Sequence, residues 1–78
     1  MIRRKTNIIA LKKIMIENGF NTIVSLSEQS GIDRNTLGKI LNGEQQPSAE
    51  AMEKLIRTLN IEPKMAGEIF FMKDLLNK

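Results

Sequence analysis

Arg34, Asn35, Gly38, Lys39 and Asn42 are the residues whose types and spacing could do chemistry together. On a helix, at 100° per residue, they fall within one arc of about 140°, and Leu37, Ile40 and Leu41 fall on the other side. Everything on the arc is a hydrogen-bond donor or has no side chain. Arginine and lysine donate to guanine O6 and N7, and asparagine pairs with adenine N6 and N7, so the arc suits base edges in a DNA major groove. Gly38 costs roughly 1 kcal/mol of helix propensity against alanine. In exchange, a missing side chain mid-arc lets the helix lie closer to the bases. The plainer reading, a solvated face with Gly38 packed against a neighbour, stays open at this point.

The elements that must position this arc are helical throughout. Thr22 is a fitting N-cap for a helix that runs to Ser30 and buries Leu26 and Ile23. Gly31, Ile32 and Asp33 then form a break in which Gly31 takes positive φ, Ile32 plugs into the core and Asp33 caps the helix of the arc. That helix, Arg34 to Asn42, stops at Gly43. Two short helices joined by a glycine-containing three-residue turn make a helix-turn-helix unit over residues 22–42. An earlier helix spans about Asn7 to Asn18, with Ile8, Leu11, Ile14 and Met15 on one face and Gly19 as its left-handed terminator. Ile9 and Ile16 form a second apolar stripe on it that needs another surface to cover it. After the loop Glu44 to Pro47, Ser48 caps a fourth helix. It repeats Met52, Leu55, Ile56 and Leu59 and carries the pairs Glu50/Lys54 and Glu53/Arg57 on its outer side. Pro63 opens a C-terminal helix expected over residues 63–78, with Met65, Ile69, Met72 and Leu76 along one side. No strand-like alternation is present, so the fold expected is all-α: five helices in one domain spanning residues 1–78.

The charge is unevenly placed. Residues 1–13 hold Arg3, Arg4, Lys5, Lys12 and Lys13, five of the twelve bases and none of the nine acids. A basic arm, residues 1–6, on a near-neutral body suits a polyanion met from one side. Enzymatic chemistry has little to stand on. Cysteine and histidine are absent, which removes the best nucleophile and the usual neutral-pH base. Glu50 and Glu53 each have a basic residue four positions on, as in a solvated ion-paired face. No glycine-rich phosphate loop or metal-spaced carboxylate cluster occurs, so no cofactor, metal or small-molecule substrate is expected. No apolar run reaches membrane-spanning length and no signal-peptide pattern follows the basic start, which points to a cytoplasmic, nucleoid-associated protein.

The stretch Leu26 to Gly43, LSEQSGIDRNTLGKILNG, with the Pro-Ser and amphipathic helix after it, resembles the Cro/CI-type (lambda-repressor-like) helix-turn-helix regulators. The resemblance covers about residues 7 to 62. It implies a five-helix lambda-repressor-like domain whose third helix reads double-stranded DNA, with Arg34, Asn35 and Lys39 at base-reading positions. Thr36 and Gly38 would lie at the edge of the base contacts. Thr22, at the second helix's N-terminus, Asn42 and Gln45 would face the DNA backbone, joined by Arg3, Arg4 and Lys5 as an arm. Family members bind two-fold operators as dimers. The apolar C-terminal residues Ile69, Phe70, Met72, Leu75 and Leu76 are accordingly expected to form a homodimer seam, rather than merely finish the core.

Three features depart from the family pattern: Ile23 stands where glutamine is frequent, Glu44 opens a loop that is often basic, and the Ile9/Ile16 stripe has no counterpart. They weaken the expected grip on the DNA backbone and shift it toward the arm. They also keep a second reading open, in which the same fold acts as an antitoxin or antirepressor and docks a protein partner, a toxin or a repressor. The first reading is a phage or mobile-element repressor.

Overall fold

The computed structural model describes the backbone of residues 3–74 and the side chains of residues 5–72. The element order is β1 (Arg3–Lys5), α1 (Ile8–Glu17), α2 (Ile23–Ser30), α3 (Arg34–Leu41), α4 (Ala49–Leu59), α5 (Pro63–Phe70) and β2 (Met72–Asp74). The class is all-α, with five helices among the described residues, and two short strands are an addition to it.

Each helix begins where a short polar side chain can take an orphan amide. Asn7 accepts from the Ala10 amide, Thr22 from Ser25, Asp33 from both Asn35 and Thr36, and Ser48 from Ala51. The exception is α5, whose N-cap Glu62 makes no side-chain cap bond and whose first residue is Pro63, pre-set for a helical start. At the other ends, Gly31 and Gly43 take positive φ, as the tight exits from α2 and α3 require.

One core fills the space between the helices. Leu11 and Met15 of α1, Leu26 of α2, Leu37, Ile40 and Leu41 of α3, Leu55 and Leu59 of α4, and Ile69 and Phe70 of α5 all belong to it. Ile14, Met52 and Ile56 pack against its margin. Ile32 is 6% exposed, so the turn between α2 and α3 is plugged into the core as expected. Ile23 is not: it stands in the first turn of α2, at the edge beside α1, and is 36% exposed.

The C-terminal segment differs most from expectation. The helix ends at Phe70, and residues 72–74 form a strand instead of two further turns. Part of the cause lies in the last carbonyls of α5. A continued helix would bond Ile69 O and Phe70 O to the amides of residues 73 and 74. Here Ile69 O accepts from the Asn7 amide at 2.6 Å and Phe70 O from the Gln46 side chain at 2.9 Å. The chain thereby leaves the helical path and pairs antiparallel with the N-terminal segment, Arg3 opposite Asp74, Arg4 opposite Lys73 and Lys5 opposite Met72. The stretch expected as an arm is therefore one strand of a ribbon.

Candidate nucleic-acid interface

The turn that aims α3 is braced by two serines. The Ser27 hydroxyl donates to Ile32 O at 2.6 Å, and the Ile32 amide donates to the Ser30 hydroxyl at 3.2 Å. Both backbone groups of the buried turn residue are thus satisfied without water, which is what permits Ile32 to sit in the core. The Lys54 ammonium reaches Gly31 O at 3.5 Å, tying α4 to the same turn. Asp33 then fixes the start of α3 with bonds of 3.0 Å to the Asn35 amide and 3.3 Å to the Thr36 amide. Sequence reasoning had assigned Ser30 only as a helix end and Ser27 nothing. Two serines three apart, the second directly before Gly-Ile, are the available signal.

On α3, Leu37, Ile40 and Leu41 are buried, while Arg34, Asn35 and Lys39, with Asn42 at the C-cap, are exposed and Thr36 and Gly38 are half-buried. A Cβ placed on Gly38 would meet nothing within 4 Å beyond its own helix. Gly38 therefore fills no close-packed spot inside the protein, and the reading in which it packs against a neighbour is excluded. The arc is an open, donor-rich surface held at one end by the Asp33 cap. At the other end the Gly43 and Glu44 amides turn back to Ile40 O and Lys39 O.

The DNA-binding family is decided by the match over this region. A family model for the Cro/C1-type HTH DNA-binding domain matches residues 10–65, which contain α2, α3 and α4 and the turn between them. The chain belongs to that family. No curated protein and no solved structure matches it. As a Cro/C1-type domain it has DNA as its partner, and no helix among the described residues is long and apolar enough to cross a membrane.

Around this centre the remaining candidates are spread unevenly. Thr22 is exposed at the N-terminus of α2, where the first amides of a helix and its dipole favour an anion. Asn42, just past α3, donates to the Glu44 carboxylate at 3.4 Å, so the acid at the head of the loop already engages this candidate phosphate contact. Gln45 is exposed in the same loop and lines a concavity of about 140 Å³ together with Lys5, Thr6, Ile8, Gly43 and Gln46. The structure thus brings Lys5 beside the loop that follows α3; the side chains of Arg3 and Arg4 lie outside the described ones.

The expected dimer seam needs correcting. Ile69 and Phe70 are fully buried in the chain's own core, because α5 packs back onto α1 and the ribbon, and they have no surface to offer a second copy. Met72 is half-buried in β2, and Leu75 and Leu76 lie outside the described residues. Among the described residues of this segment, the large apolar ones that face solvent are Met65 and Phe71. A second apolar surface lies across α1 and α2, with Ile9 82% and Ile16 60% exposed and with Ile23 and Val24 beside the α1–α2 turn. Ile16 and Ile23 share with Lys12, Met15, Leu41 and Asn42 the lining of a groove of about 250 Å³.

Proposed function

We infer that the protein is a sequence-specific transcriptional regulator, a phage or mobile-element repressor that binds a two-fold operator as a homodimer and carries no catalytic activity. The observation that carries this reading is the outer face of α3: three exposed hydrogen-bonding side chains, with Asn42 at the C-cap and an unfilled space at Gly38, on a helix fixed at both ends. Arg34, Asn35 and Lys39 specify bases. Thr22, Thr36, Asn42, Gln45 and the basic strand with Arg3, Arg4 and Lys5 position the DNA backbone. Two recognition helices enter successive major grooves, about 34–36 Å apart. Bound across a promoter in the cytoplasm, the dimer blocks polymerase. With Ile69 and Phe70 taken by the core, the described residues left for the second copy are Met65, Phe71 and Met72, and Leu75 and Leu76 extend the proposed seam.

Selection from a random duplex pool tests this, with an Arg34→Ala/Lys39→Ala double variant as control. Enrichment of a two-fold motif by the wild type alone is the expected result. No enrichment, or the same motif with the double variant, removes the base-reading assignment.

A second reading is favoured by one specific observation, the exposed Ile9 and Ile16 on a helix that also carries Lys12 and Lys13. An antitoxin or antirepressor on the same fold would use that stripe to hold a toxin or a repressor. Gene context separates the two: a neighbouring small toxin gene supports the antitoxin, and a divergent repressor gene supports a Cro-like regulator that acts on DNA.

A further inference from the structure

The side chain of Gln46 joins parts of the chain that a helix-turn-helix alone leaves unconnected. Its Oε1 accepts from the Thr6 amide at 3.1 Å and from the Thr6 hydroxyl at 3.2 Å, while its Nε2 donates to Phe70 O at 2.9 Å. The orientation of the amide follows from its partners. A backbone N–H only donates and a carbonyl only accepts, so a reversed amide would oppose donor to donor and acceptor to acceptor. Thr6 is buried directly after β1, Phe70 closes α5 just before β2, and Gln46 stands in the loop after α3. One side chain therefore fastens both strands' inner ends to the segment that follows the recognition helix.

What this fastening places is Lys5. It precedes Thr6 and lines, with Gly43 and Gln45, the concavity at the C-terminal end of α3. Resting on the DNA reading above, we propose that Gln46 is a positioning residue for binding the DNA backbone: it sets β1 against the α3–α4 loop so that Lys5 and that loop meet one phosphate as a rigid pair. The gain is one of preorganisation. A basic arm that is already ordered gives up less freedom when it binds than a loose arm with the same charge. Removing Gln46 leaves the arm's charge in place and takes away its address. The Asn7–Ile69 backbone bond still holds the start of α1 to α5.

The experiment is a double-variant cycle on DNA affinity with Lys5→Ala, Gln46→Met and the pair, on a duplex the wild type prefers, over a series of salt concentrations. Gln46→Met keeps the length of the side chain and removes all its hydrogen bonds. In the wild-type background Lys5→Ala is expected to weaken binding about fivefold to tenfold and to lower the salt slope by about 0.9, the share of one phosphate contact. In the Gln46→Met background the same substitution should cost less than about twofold, with the slope nearly unchanged. Hydrogen exchange should show the Thr6 amide losing protection in Gln46→Met while the Leu11 amide keeps it. A purely structural Gln46 would leave the two Lys5→Ala factors equal, and equality overturns the proposal. Should Gln46→Met fail to fold, Thr6→Val removes only the hydroxyl bond at nearly constant volume. A reduced Lys5→Ala factor is expected there as well, and an undiminished one is equally decisive against the proposal. A wild type with no affinity for any duplex overturns the DNA reading and this proposal together; equal factors in a wild type that does bind overturn the proposal alone.

Discussion

Two helices of this domain are built on the same plan. Helices α3 and α5 each have eight residues, RNTLGKIL and PKMAGEIF, with glycine fifth and an isoleucine buried seventh. Each buries its fourth, seventh and eighth residues, Leu37, Ile40 and Leu41 in one and Ala66, Ile69 and Phe70 in the other. Both glycines have open space where a Cβ would go. The difference lies outside the core. Helix α3 is started by a doubly bonded Asp33 and presents Arg34, Asn35 and Lys39, whereas α5 has no side-chain cap bond and presents Lys64, Met65 and Glu68. The buried pattern therefore does not tell which helix reads DNA. What separates the two helices is the sign and donor chemistry of the outward residues, together with how firmly the helix start is held.

The largest effects should fall on what the two helices share. Ile40→Ala and Ile69→Ala each remove a fully buried side chain and should each lower unfolding free energy by about 2–5 kcal/mol in denaturant melts. A tenfold smaller cost for one of them would mean that its helix is not part of the common core. Next come the outward residues at the sixth position. Lys39→Ala should weaken binding to a preferred duplex by about 1–3 kcal/mol and relax the base preference there, while Glu68→Ala should leave both unchanged. A loss with Lys39→Ala that leaves the base preference unchanged, mirrored by a gain with Glu68→Ala, would assign Lys39 a bulk electrostatic role only. Smaller again are the helix starts: Asp33→Ala should cost about 1 kcal/mol of stability and Glu62→Ala a few tenths, as read from melting. The smallest change is the most discriminating. Gly38→Ala and Gly67→Ala should both stabilise the fold by up to about 1 kcal/mol, since neither Cβ meets an obstacle. Only Gly38→Ala should weaken DNA binding, and equal affinities in the two variants would show that no base edge approaches Gly38.

What was legible in the sequence was local. Thr22, Asp33 and Ser48 announce helix starts through their own amide bonds, and Gly31 and Gly43 announce positive φ; each signal acts within a few residues of itself. The apolar spacing on α3 likewise predicted which face is buried, and with it the outward arc. The ribbon was not legible. Three-residue strands are too short to show alternation, and Arg-Arg-Lys and Met-Lys-Asp hold no β-branched residue. Their pairing depends on partners at opposite ends of the chain. The same blindness produced the error at Ile69 and Phe70. More apolar residues than one further helix can bury against four suggest a seam, but α5 packs back onto α1 and the ribbon and takes Ile69 and Phe70 inside. Gln46 escaped notice because its three bonds go to residues remote in sequence, and a glutamine in a loop looks like a solvated one.

The ribbon also has a consequence in time. Pairing Arg3 with Asp74 joins segments separated by nearly the whole chain, and it returns only three residue pairs for closing that long loop. The entropy of closure must be met before the pairing contributes, whereas the α2–α3 turn closes within a few residues. The strands should therefore zip last and open first. Their amides should exchange faster than those of Leu11 or Leu37, through openings that leave the helices standing. Gln46 grips Thr6 just outside the ribbon, so a strand that opens stays tethered at its inner end and is poised to pair again.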